Sequence, residues 1–207
     1  MINKESQLLG IFAKEPWKKF TFTDIKNISK KKSKSYIGLV LKKFLNEKII
    51  KSEKVGHLPV YSLNLSSAKT RVFAGFALEH EAWNKKDIPY YDMQKIIDNI
   101  STSDYVLLIT GSYANGKQKK TSDIDVVIII DDGFDPKRIY ANLSQICELN
   151  IPPIHLYVFR NREFIEMLRN KEFNYGKEIS KNNLILVSGQ IYLNLIKEAI
   201  EHGFRSK

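Results

Sequence analysis

The chain has 207 residues, 43% of them hydrophobic, and a formal net charge of +10. That is apolar material enough for one large core or two small ones, and the single cysteine, Cys147, rules out an internal disulfide and reads as a small core residue. No apolar run approaches the roughly 18 to 20 residues of a membrane span, and MINKESQLLGIFAKEP lacks the features of a secretory signal, so a cytoplasmic protein without membrane contact is expected.

The charge is unevenly divided. Residues 1–65 hold 14 Lys against 5 Asp and Glu, whereas residues 66–207 hold 19 Lys and Arg against 18 Asp and Glu. Such asymmetry points to a polyanion as partner of the N-terminal third.

In chain order, LLGIFA lies in a helical segment from Lys4 to Ala13 that stops before Pro16. TFTDIKNIS offers Thr23 as an N-cap, with Ile25 and Ile28 turned inward. A longer helix starts at Ser33 or Ser35 and carries Ile37, Val40, Leu41, Phe44 and Leu45 at the 3.6-residue period. IIKSEKVGHLPVYSLN then reads as two short strands around a Gly-His-Leu-Pro turn. This order resembles a winged helix-turn-helix domain over 1–65, resting on element order, lengths and charge rather than on a motif. In such a domain the third helix enters a major groove. The candidate nucleic-acid contacts are therefore Lys30, Lys31, Lys32, Lys34, Ser35, Tyr36, Lys42 and Lys43 on that helix, and Lys51, Lys54 and His57 on the hairpin. Lysine without arginine favours phosphate contact over base reading. Docking of a partner or dimerisation is the competing use of the domain, and no heptad seam specifies a homodimer.

Residues 66–100 read as a helical connector of two helices, the first ending near Asp87, with Phe73, Phe76, Ala77 and Trp83 packing against one or both flanking parts. From Asp104 the pattern changes. YVLLIT and DVVIII are continuous apolar runs, as in strands covered on both faces, and IHLYVF (154–159) reads as a third strand. Helices are read at 138–150, 161–172 and 188–203. The fold class is α+β: a small mixed sheet with flanking helices over 101–207, preceded by the helical N-terminal domain.

The chemistry concentrates in GSYANGKQKKTSDIDVVIII, from Gly111 to Ile130. Asp123 and Asp125 are two apart, so a strand projects both carboxylates from one face. Two such charges repel unless a cation neutralises them, and oxygen ligands with open positions suit Mg²⁺ or Mn²⁺. Gly111 permits a sharp turn and close approach of a ligand, while Ser112 and the amides after it could cradle phosphate oxygens. Lys117, Lys119 and Lys120 lie in the loop between.

Strand, Gly-Ser, polar loop, Ser-Asp-Ile-Asp and apolar strand resembles the nucleotidyltransferase superfamily that includes DNA polymerase β, and in particular its minimal prokaryotic members. The matching positions are Gly111, Ser112, Ser122, Asp123 and Asp125. The resemblance implies transfer of a nucleoside monophosphate from a nucleoside triphosphate, usually ATP, to an acceptor hydroxyl with divalent metal ions, and assigns Gly111, Ser112, Lys117 and Ser122 to nucleotide binding. It also implies a third carboxylate on a later strand. Here His155 stands in that place, and Asn115 replaces an arginine common in minimal members. Small members resemble toxin–antitoxin components that modify a partner protein, and others act on RNA ends or antibiotics. Two functions therefore stand open. One is a transferase acting on a protein or RNA, with Asp123, Asp125 and His155 catalytic. The other is a DNA-binding regulator whose transferase domain has lost catalysis and senses nucleotide.

Overall fold

The structure, a computed structural model, describes residues 4–29 and 33–205. It is an α+β molecule with two sheets. The N-terminal part runs α1 (Lys4–Lys14), β1 (Phe20–Thr21), α2 (Phe22–Ser29), α3 (Lys34–Asn46), β2 (Ile50–Val55) and β3 (Leu58–Leu63). Its antiparallel sheet has the order β1-β3-β2, with β2 and β3 joined around Gly56 and His57. Two details differ from the sequence expectation. The α2 cap is Thr21, not Thr23: Thr21 Oγ1 accepts from the Asp24 amide, and the Asp24 carboxylate accepts from the Thr21 amide, a reciprocal pairing that leaves Thr23 inside the helix. Ile25 is fully buried but Ile28 is 48% exposed: it lies in the last turn of α2, where it lines an open cavity with residues of α1 and of the helix after β3 instead of entering the core. On α3, Ser33 is the cap, accepting from the Tyr36 amide, and Ile37, Val40, Leu41 and Phe44 are buried as the period requires.

The second part begins with α4 (Ala68–Trp83) and α5 (Tyr90–Asn99). It continues as β4 (Tyr105–Ile109), α6 (Gly111–Asn115), β5 (Ile124–Ile130), α7 (Pro136–Glu148), β6 (Ile154–Arg160), α8 (Asn161–Arg169), α9 (Tyr175–Lys181), β7 (Leu184–Val187) and α10 (Gly189–Glu201). The sheet order is β6-β5-β4-β7, with β5 and β6 parallel and the other pairs antiparallel. β4, β5 from Val126 onward and β7 are unbroken apolar runs because both faces are covered, whereas the edge strand β6 alternates, with His155 and Tyr157 exposed. Leu107, Ile109, Val126 and Ile128 pack with Met93, Ile96, Ile139 and Leu143 of α5 and α7. Val106, Leu108, Val127 and Ile129 belong to a larger core shared with α8, α10, α4 and the N-terminal helices. Cys147 lies in the first of these cores, where burial pushes its thiol up to about 11 and leaves it unreactive at neutral pH. No helix of the described residues is long and apolar enough to cross a membrane.

α4 is the element that joins the parts, packing on α1 on one side and on α10 and β7 on the other. Ala74 and Ala77 face the shared core, whereas Phe73 and Phe76 stand 42% and 49% exposed, contrary to the packing role expected of them. Trp83, also partly exposed, stacks on Tyr90 at 5.3 Å and donates from Nε1 to the Leu186 carbonyl at 2.7 Å. Where α4 crosses α10, Gly75 meets Gly189: a Cβ at Gly75 would lie 2.4 Å from the Gln190 nitrogen, and one at Gly189 2.5 Å from the Gly75 oxygen. The Glu79 carboxylate closes the joint by accepting from the Gly189 amide at 2.6 Å, at the positive end of α10.

Gly75→Ala separates two forces. Helix propensity alone favours alanine by about 1 kcal/mol, whereas overpacking against backbone costs about 1–3 kcal/mol or more. Urea denaturation is expected to show a net loss of stability, and a gain would mean that the helices part freely.

Candidate active site at the head of strands β5 and β6

The strand pattern places Asp123 and Asp125 where the sheet begins. β5 and β6 run parallel with Asp125 directly opposite His155, so the histidine that replaces the expected third carboxylate sits in the same row as the pair. His155 Nε2 lies 3.6 Å from Asp123 Oδ2, and His155 Nδ1 lies 3.6 Å from Asp125 Oδ1. Side-chain exposure falls from 53% for His155 and 44% for Asp123 to 29% for Asp125, which makes Asp125 the floor of the site. Burial holds the Asp125 carboxyl above its ordinary value; the His155 imidazole pulls it back and the Asp123 charge adds to the rise.

Gly111 explains how the chain passes so close to this floor. It follows β4 with φ +65°, and a Cβ there would fall 2.1 Å from Asp125 Oδ2. Only glycine meets both conditions at once. The strand end is pinned around it: the Thr110 amide donates to the Asp125 carbonyl at 2.9 Å, Thr110 Oγ1 to the Asn182 carbonyl at 2.6 Å, and Asn182 Nδ2 to the Gly111 carbonyl at 2.9 Å.

The other loop residues divide by role. Ser112 is half-buried on α6, and its carbonyl accepts from the Lys117 amide at 2.9 Å. Ser122 acts within the loop, its Oγ accepting from the Lys119 amide at 2.8 Å and its amide donating to the Lys119 carbonyl. Asn115 also turns the loop, accepting from the Lys117 amide at 3.0 Å. Lys117, Lys119 and Lys120 are exposed, with no ion pair among the described residues. Three contributors carried no local sequence signal. Lys85, just past α4, donates to the carbonyls of Tyr113 and Ala114 at 3.1 and 2.5 Å, a cation at the negative end of α6. Asn182 is the second. Tyr175 is the third: its ring packs on Tyr157 at 4.8 Å, its hydroxyl is buried without a hydrogen-bond partner, and burial, with Tyr157 and Asp125 nearby, pushes that hydroxyl far up.

Two carboxylates on one strand face fit a hard cation that keeps open positions for water and phosphate oxygens. No cluster of three or more His, Cys, Asp and Glu side chains arranged to hold a metal ion occurs among the described residues; Asp123 and Asp125 are the carboxylates that could contribute to one, with His155 beside them.

Of the N-terminal candidates, Lys34, Ser35, Lys42, Lys51, Lys54 and His57 are exposed, whereas Lys43 is paired with Glu5 at 2.8 Å and Tyr36 is half-buried. Lys30, Lys31 and Lys32 lie outside the described residues.

The raised Asp125 carboxyl has a stability consequence. Because its folded value lies above the unfolded one, the ionised group weakens the fold at neutral pH. Asp125→Asn is expected to raise stability to urea at pH 7, with the gain fading as pH falls through the raised folded value and gone below the ordinary carboxylate value of 3.8. A loss of stability at pH 7 would contradict the burial effect.

No curated protein and no solved structure matches the chain. Residues 93–187, from within α5 to the end of β7, match the family model of a nucleotidyltransferase domain. That segment holds Gly111, Ser112, Ser122, Asp123, Asp125 and His155, and the match supports the nucleotidyltransferase superfamily as its family.

Proposed function

We propose that the protein is a metal-dependent nucleotidyltransferase that moves a nucleoside monophosphate, from ATP in the first instance, onto a protein or RNA acceptor. The family match supports nucleotidyl transfer in general. The observation that supports the finer reading is the grouping of Asp123, Asp125 and His155 at the head of β5 and β6, with the Gly111 turn packed against Asp125. In the reaction the acceptor oxygen forms a bond to the α-phosphorus as the bond to the pyrophosphate oxygen breaks. Bound Mg²⁺ or Mn²⁺ would supply charge stabilisation for attack and departure. Asp123 and Asp125 hold the negative pole of the site. We assign to the His155 imidazole, which lies beside both, the uptake of the acceptor's proton. Lys117, Lys119 and Lys120, on the loop that leads to Asp123, are within the segment that a triphosphate tail would pass.

The N-terminal part we read as a winged helix that binds a DNA or RNA duplex by its phosphates. Helix, strand, two helices and a hairpin in a β1-β3-β2 sheet support that reading, as does the surplus of lysine. The outer face of α3 carries Lys34, Ser35 and Lys42, and β2 carries Lys51 and Lys54, with no carboxylate paired to these lysines among the described residues.

One observation favours a second reading. His155 adds no negative charge where the resemblance implies an aspartate, which suits a regulator that binds nucleotide without turning it over. Incubation with Mg²⁺ or Mn²⁺ and each α-labelled nucleoside triphosphate, with and without cell lysate, decides between them. A transferase is expected to label a protein or RNA band, with the label lost by at least about tenfold in Asp125→Asn. Metal-dependent nucleotide binding with no label establishes the regulator, and His155→Asp is then expected to bring labelling back. For the N-terminal part, neutralising Lys34, Lys42 and Lys54 is expected to lower duplex affinity and to flatten its log–log salt slope by about 3, at roughly 0.9 per phosphate contact. An unchanged slope removes the duplex from the account.

A further inference from the structure

The C-terminal part has nearly balanced charge in sequence, but folding sorts it. A cavity of about 370 Å³ opens between the end of α8, the loop to α9, α9 itself and the chain after α10. Five of its ten lining residues are cations, Arg169, Lys171, Lys177, Lys181 and Arg205, and none is acidic. The nearby Glu172 and Glu178 do not line it. Arg169, Lys171 and Arg205 form no ion pair among the described residues, and Lys177 is held by the Asn170 carbonyl, a neutral acceptor. Cations gathered in one wall repel one another, and an arriving polyanion relieves that repulsion.

Two further observations specify the anion. Phe173 stands 70% exposed in the same wall, an apolar face with no protein partner covering it, while Phe204 behind it is fixed edge-on by Trp17 at 5.4 Å. Cations alternating with an open aromatic face are what a single strand of nucleic acid engages, phosphates on the one and a base on the other. The position is also suited to the active site. α9, with Lys177 and Lys181 on it, starts at Tyr175, whose hydroxyl feels the Asp125 charge, and ends beside Asn182, which holds the Gly111 carbonyl. Its seven residues span about 10 Å, which two or three nucleotides cover.

We propose that this basic cavity seats the backbone of a single-stranded polynucleotide, with one base stacked on Phe173. The site is separate from the α3 and hairpin surface and is defined by binding, so it stands or falls whether or not the Asp pair transfers nucleotide. The test is fluorescence anisotropy of the full chain with a labelled oligouridylate over a series of salt concentrations, without metal or nucleotide. The triple variant Arg169→Ala, Lys171→Ala, Arg205→Ala is expected to weaken binding by at least tenfold and to flatten the log–log salt slope by about 2, at roughly 0.7 per contact on a single strand. Phe173→Ala is expected to cost about fivefold or more with the slope unchanged, and Phe173→Tyr to retain affinity. All these side chains except Phe173 are charged surface groups, and Phe173 is itself exposed, so matching thermal melts are expected throughout. Oligouridylate affinity and slope equal to wild type in the triple variant overturn the proposal. So does a triple variant that loses inorganic triphosphate binding while keeping oligouridylate, which would make the cavity a site for free phosphates. A Phe173→Ala variant with wild-type affinity also overturns it, because no base is then seated.

Discussion

Two helices approach to backbone contact only where neither carries a side chain, and the meeting of Gly75 with Gly189 is such a place. Through it α4 lies flat on α10, so that one continuous core reaches from Leu8 and Phe12 in the first helix to Val127 and Ile129 under the second sheet. The N-terminal part therefore rests on the same packing that supports the strands of the candidate site. The Glu79 carboxylate at the head of α10 adds a charged contact to the joint, and burial raises that carboxyl above its ordinary value while the Gly189 amide draws it down. Interiors packed at this density respond to a single added methyl, which is why such a crossing fixes an angle rather than merely permitting one.

A second glycine sets the site. At Gly111 the backbone turns into a positive φ and passes against the Asp125 carboxylate, and the neighbouring Thr110 and Asn182 hold that turn from two directions. The result is a pair of carboxylates of unequal depth with an imidazole beside them. Depth and charge work against each other at Asp125, whose ionisation burial disfavours and His155 favours. Strain of this kind, stability given up at one residue, is common where a side chain is kept for chemistry.

Much of this was legible in the sequence. Continuous apolar runs located β4 and β5, IHLYVF located β6, and the spacing of Asp123 and Asp125 put both on one face. The resemblance, which implies a third carboxylate on a later strand, singled out His155, and it lies opposite Asp125. What escaped did so for physical reasons. β7 has only four residues, LILV, too short for a period, and α9 carries the polar sequence YGKEISK with its cap supplied by Asn174. Lys85 and Asn182 act across long stretches of chain, through contacts that no local pattern records. Phe76 has the right chemistry for a core but the wrong rotation about its helix, and Ile28 lies in the last turn of α2 where an open cavity replaces the core. The basic cavity was hidden by its own sequence context, because Glu166, Glu172 and Glu178 alternate with its cations along the chain and point elsewhere.

Lys85 has a consequence beyond capping a short helix. It extends from the end of α4 and grips α6 by two carbonyl oxygens, and α6 is the turn that carries Gly111 past Asp125. It also forms part of the wall of a cavity of about 610 Å³ between α1, α2 and α4. The lysine thus ties the end of α4 to the loop before the carboxylates. Shortening that side chain would leave the Tyr113 and Ala114 carbonyls without this donor, at the turn that sets how closely Gly111 passes Asp125.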